Sequence, residues 1–164
     1  MLRAIRAAHD RGLDCDLALL GDPTGGQADE LEPLIAELGE AVVVRGHLGR
    51  DDYLDVLGRA DVVVSAARNE NFGIAIVEAV AAGAWPVVPD TLAYPEVIPA
   101  AFHAACLYEP GGFGSRLRDV LGRVSAGERP PAGLADSMAR FDWSVVGRRL
   151  DERVEHLLDR VEAV

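Results

Sequence analysis

Two carboxylates with seven residues between them, Glu70 and Glu78, flank Gly73 in a stretch that reads NENFGIAIVEAVAAG. A glycine where a polar loop gives way to an apolar helical run lets a ligand approach the backbone. The free amides of the first helical turn, reinforced by the helix dipole, attract anions, so a phosphate suits this place. Glu78 falls one turn after Ile74 among Ala, Val and Ile, and is therefore expected to be partly buried and to need a donor. A ligand hydroxyl would serve, and so would a neighbouring backbone amide. The same residues also fit an ordinary strand-loop-helix unit, with Glu70 a solvated loop acid and Gly73 a turn residue.

Three further candidates surround this stretch. Ser65 ends the preceding apolar run; its hydroxyl contacts a ligand or, more commonly for such a serine, bonds the loop backbone. Gly46 and His47 follow another strand end, a position that faces the site in a doubly wound sheet, although a lone loop histidine is more often simply solvated. Glu96, between Pro95 and Pro99, reads as a helix-start acid. His103 and His156 have no matching acid or thiol spacing and read as surface residues.

The elements that must position these residues alternate along the chain. Helical spacing covers residues 2–11, 28–38, 51–59, 74–82 and 115–124, and buried strands are expected over 16–20, 41–44, 61–65, 85–88 and 105–108. Strands alternating with helices imply right-handed crossovers and a parallel, doubly wound α/β sheet, in which ligands bind beyond the carboxyl ends of the strands. Pro130 and Pro131 break the chain before a final helix over about residues 142–162. Its apolar stripe comprises Trp143, Val146, Leu150, Val154, Leu157 and Val161.

Composition narrows the function classes. With 164 residues and 49% hydrophobic but only 5% aromatic side chains, one Ala/Val/Leu-packed domain is expected. A net charge of -11 argues against direct binding of nucleic acid or anionic membrane. Cys15 and Cys106 lack metal or CxxC spacing and sit in apolar runs, which predicts reduced, buried thiols in a cytoplasmic protein and no metal site. The sequence also carries no run long and apolar enough to span a membrane.

The segment ENFGIAIVEAVAAG, followed by a small apolar strand and a proline, resembles the donor-site signature of retaining glycosyltransferases of family four, which have the two-domain GT-B fold. Together NFGIAIVEAVAAG, PVVPDTLAYPEVIP, FHAACLYE and RFDWSVV are similar to the tRNA-queuosine mannosyltransferase group and its bacterial relatives. The resemblance implies a nucleotide-sugar-binding domain over residues 1–164, the C-terminal half of a GT-B fold, with GDP-mannose as donor and no metal. It implies that Glu70 contacts the sugar near the reacting carbon, that Asn71, Phe72, Gly73 and Ile74 present backbone to the diphosphate, and that Glu78 holds the ribose hydroxyls. The loop at Gly46 and His47 would lie near the base. Asn69 stands where that group usually has histidine, and an asparagine cannot titrate. The chain opens on a helix, whereas domains of this kind open on a strand and a basic loop. The strand at residue 16 and that at 61 are therefore expected either to leave a gap or to pair directly. The acceptor domain is expected elsewhere, so the isolated chain would be inactive. A non-catalytic nucleotide-binding module and a sugar-nucleotide epimerase are the rival readings.

Overall fold

The structure, a computed structural model, describes residues 1–21 and 28–162. Helix α1 (Leu2–His9) buries Leu2, Ile5 and Ala8 along one face and ends where Gly12 turns left-handed at φ 78°. The amide of Leu13 then closes back on the Ala8 carbonyl, which satisfies an orphan acceptor of the last turn. The expected helix thus stops two residues early. Strand β1 (Leu17–Leu20) pairs parallel with β2 (Val42–Gly46), and α2 (Ala28–Leu38) connects them. Helix α3 (Arg50–Arg59) leads to β3 (Val62–Val64), and α4 (Ile74–Ala81) leads to β4 (Trp85–Pro89). Among the described residues the strands form two parallel sheets, β1-β2 and β3-β4-β5, the last strand being Leu107–Tyr108.

β1 and β3 do not pair, so the first of the two expected outcomes, a division between them, is found. Apolar packing crosses that division. Leu17 and Leu19 of β1 share a cluster with Val64 of β3, with Leu2 and Ile5 of α1, and with Leu117 of α7 (Phe113–Ser125). The main core gathers on β4, whose WPVVP residues are all buried, as a strand covered on both faces must be.

The stretch after β4 agrees with expectation at Glu96 and departs from it further on. Residues 94–97 form a short helix, α5 (Tyr94–Val97), with Pro95 in its first turn and Glu96 as the acid there. Residues 105 and 106, expected as strand, belong to the short helix α6 (His103–Cys106), leaving β5 only Leu107–Tyr108. The Trp85 indole N–H donates to the Ala105 carbonyl at 3.1 Å, a bond that anchors this turn over β4. Likewise His103 is half-buried, its Nε2 at 2.7 Å from the Ile98 carbonyl and 3.1 Å from that of Pro95, so it ties the α5 end to α6 instead of facing solvent freely. Cys106 is fully buried as expected, but Cys15 is only half-buried and meets His9 Nε2 at 3.5 Å.

A 3-10 helix over Asp136–Phe141, not foreseen, packs on α4 and precedes α8 (Trp143–Glu162). Trp143 is 75% exposed, and Leu150, Val154 and Leu157 are also exposed, so much of the expected apolar stripe lacks cover in this chain. The Val161 side chain lies outside the described residues. Among the described residues no helix is long and apolar enough to cross a membrane.

Candidate functional site

The loop from β3 to α4 is held from beneath by two phenols. Tyr108 donates its hydroxyl to the Ser65 carbonyl at 2.8 Å, and the Tyr94 hydroxyl lies 2.7 Å from Ser65 Oγ. Ser65 Oγ also accepts the Ala67 amide at 3.1 Å, which is the local capping role. Burial pushes both phenols above their usual range, and the Glu70 charge adds to the effect on Tyr94. Both remain neutral across the physiological range.

Gly73 starts α4 in the left-handed region at φ 83°. A Cβ built there would sit 3.2 Å from Tyr94 Cε1 and 3.7 Å from Glu70 Cγ. Both the backbone angle and the close phenol therefore demand glycine. With the turn fixed, the amides of Phe72 and Gly73 converge on a single oxygen, Glu70 Oε1, at 3.1 and 2.8 Å. The two amides that a helix-start anion site needs are thus formed and hold a carboxylate that belongs to the protein itself. Glu70 is a capping acid here rather than a freely solvated one.

Glu78 finds its donors in α3. Arg50 Nη1 donates to Oε1 at 2.9 Å and the Tyr53 hydroxyl to Oε2 at 2.8 Å. The Glu78 side chain is 27% exposed, so it is partly buried yet still reachable from solvent. Burial, then the bond to Glu78, pushes the Tyr53 phenol up to about 12. The donors found here are two side chains of α3 and not a neighbouring backbone amide.

The remaining candidates are distributed around these two centres. Asn69 and Asn71 are exposed on the loop, and Ile74 is exposed at the first position of α4. Phe72 is exposed and makes an edge contact with Phe141, centroids 5.2 Å apart. Beyond it opens a groove of about 1200 Å³ whose α8 wall carries Arg149, Arg153 and the exposed His156. Gly46 turns at φ 99° to end β2, and His47 is exposed; the loop leads into the first turn of α3, whose Arg50 reaches Glu78. Sequence reasoning missed Arg50, Tyr53, Tyr94 and Tyr108. The first two stand three residues apart at the start of the helix that follows Gly46, so they share a face, which was the available signal.

Comparison with known proteins fits this geometry. Residues 1–113 match the family described as Glycosyl transferases group 1. The chain belongs to that family. It is 37% identical over 91 residues to a tRNA-queuosine alpha-mannosyltransferase of Drosophila melanogaster, covering 56% of this chain and 24% of the relative. It is 30% identical over 171 residues to an MMP alpha-(1->4)-mannosyltransferase of Mycolicibacterium hassiacum, covering 99% of this chain and 40% of the relative. The chain therefore spans a quarter to two-fifths of the length of these two relatives. In fold this group 1 glycosyl transferase domain is similar to the catalytic domain of cholesterol-alpha-glucosyltransferase from Helicobacter pylori. The TM-score is 0.64 with 21% identity, over 85% of this chain and 87% of that one. The parallel α/β architecture is thus that of a GT-B glycosyltransferase domain. The match also covers β3, α4 and β4, the elements that carry Ser65, Glu70, Gly73 and Glu78.

Proposed function

We propose that this chain is the donor-binding part of a retaining mannosyltransferase that draws on GDP-mannose. The observation that carries the reading is the pair of amides at Phe72 and Gly73 already converged on one anionic oxygen. A donor diphosphate brings a stronger, doubly charged competitor to the same two donors. When it takes them, Glu70 is released and turns toward the sugar, close to the reacting carbon. Glu78, on the next turns of α4, accepts from the ribose hydroxyls, and the loop at Gly46 and His47 borders the base. No protein nucleophile is assigned: the departing phosphate assists the acceptor on the same face of the sugar.

The choice of mannose rests on the two mannosyltransferase relatives, and queuosine in tRNA follows as the acceptor from the Drosophila match. An acceptor of that charge would be held by another part of the protein, since this domain carries a net charge of -11. The reaction is accordingly assigned to the cytoplasm, and the isolated chain to an inactive state. Calorimetric titration of the intact protein with GDP-mannose, UDP-glucose and GDP, followed by incubation with queuosine-containing tRNA, tests the reading. Saturable binding of GDP-mannose and GDP with mannosylated product is expected. Preference for a uridine donor would overturn the donor assignment, and absence of nucleotide binding would overturn the function.

A further inference from the structure

Glu78 has a supporting shell that nothing in the reading above uses. A carboxylate offers about four acceptor directions, two on each oxygen. Arg50 takes one on Oε1 and Tyr53 takes one on Oε2, so each oxygen retains one. The two donors come from one helix face and leave the carboxylate plane little freedom to rotate. Their own anchoring is unequal. Tyr53 packs beside Leu57, Ala79 and Ala84, while the Arg50 side chain is 63% exposed with its guanidinium 5.6 Å from the Tyr53 ring centroid.

We propose that Arg50 and Tyr53 are positioning residues that set how strongly the site distinguishes ribonucleotides from 2′-deoxyribonucleotides, by holding the Glu78 carboxylate with one acceptor direction open on each oxygen. A ribose presents two neighbouring hydroxyls, which match two open directions held in one plane. A 2′-deoxyribose leaves one partly desolvated oxygen without its partner, and a site that expects a hydroxyl discriminates strongly against its absence. An unrestrained glutamate would instead rotate to serve the single hydroxyl that remains, and the discrimination would fade. The partly buried phenol stays protonated well above neutral pH, so the Tyr53 donor is constant under working conditions. The inference rests on Glu78 being the ribose ligand.

The test uses the intact protein and whichever of GDP, UDP and ADP binds it most tightly, each compared with its 2′-deoxy form by calorimetry. The readout is the ratio of the two dissociation constants, expected to be on the order of 10-fold or more for the unaltered protein. Glu78→Gln should bring the ratio close to one. Tyr53→Phe should lower it by roughly 3-fold or more with the fold intact, since one oxygen is removed. Arg50→Ala should act in the same direction, and Arg50→Lys should restore part of the ratio. If Glu78→Gln collapses the ratio but Tyr53→Phe and Arg50→Ala leave it unchanged, the positioning role is wrong and the ribose assignment stands. A uniform loss of affinity at constant ratio would likewise make the two residues merely structural. If Glu78→Gln leaves the ratio unchanged, or none of the three nucleotides binds, the ribose assignment fails and this inference fails with it.

Discussion

The two halves of the site are built from different materials. On the loop side, Glu70 is held by backbone amides whose direction is set by one left-handed glycine and two phenols beneath the loop. On the helix side, Glu78 is held by the side chains of a separate helix. The first arrangement is local and rigid: it needs only a few consecutive residues and the stop that Tyr94 provides. The second depends on α3 and α4 lying side by side, and it can be altered one side chain at a time without moving any backbone. The contrast predicts that changes on the loop side cost stability first, while changes on the helix side cost selectivity first.

The largest effect should come from Gly73→Ala. A left-handed alanine and a Cβ at 3.2 Å from Tyr94 Cε1 together should destabilise the fold by roughly 1–3 kcal/mol. Urea unfolding monitored by circular dichroism measures this, and an unchanged midpoint would show that the turn is not held as described. Next is Ser65→Ala, which strands the Tyr94 hydroxyl and the Ala67 amide and should cost about 1–2 kcal/mol. Glu70→Gln should be milder for stability and opposite in sign for binding. With the competing charge removed from the Phe72 and Gly73 amides, nucleotide affinity should rise by roughly 2–10-fold while sugar transfer falls. Weaker nucleotide binding in this variant would mean that Glu70 assists the diphosphate instead of yielding to it.

Alkali should separate the two sides by a smaller margin. The Tyr53 phenol is raised by burial and by Glu78 from its ordinary value to about 12. Buried Cys106 is raised to about 12 as well, by its burial. A raised group stabilises fully below its unfolded-state value and loses that contribution as pH climbs through the folded value. Stability should therefore decline from about pH 9, where an unfolded thiol begins to ionise, to about pH 12. Cys106→Ala should flatten the lower part of the decline and Tyr53→Phe the upper part. A thermal midpoint that is level between about pH 8 and pH 11 would contradict these environments.

The legibility of the sequence follows the same division. The strand-loop-helix unit around Gly73 was readable because its chemistry is encoded in consecutive residues. A valine run, a polar loop, a glycine and an apolar helix leave few alternatives, and the need of Glu78 for a donor followed from its apolar neighbours. Arg50 and Tyr53 could not be assigned to Glu78, since a helix face shows which residues are together but not which helix it meets. Residues 105–106 were misread as strand because a short apolar run has no period that separates a buried turn of helix from a strand. The exposed stripe on α8 was visible as a helical period, and its lack of cover is a matter of tertiary contact. Sedimentation of the isolated chain over a range of concentrations should accordingly show self-association, and Leu150→Glu should reduce it. A strictly monomeric chain would mean that α8 folds its stripe onto its own domain in solution.

The central claim is that the Phe72 and Gly73 amides exchange the Glu70 carboxylate for the diphosphate of a nucleotide sugar. The most direct measurement is the backbone amide resonances of Phe72 and Gly73 in the intact, isotope-labelled protein during titration with GDP. Saturable shifts of both amides are predicted, at the same ligand concentration as the calorimetric midpoint, together with release of the Glu70 carboxylate signal from its capped position. Nucleotide that binds with both amides and the Glu70 signal unmoved would contradict the account.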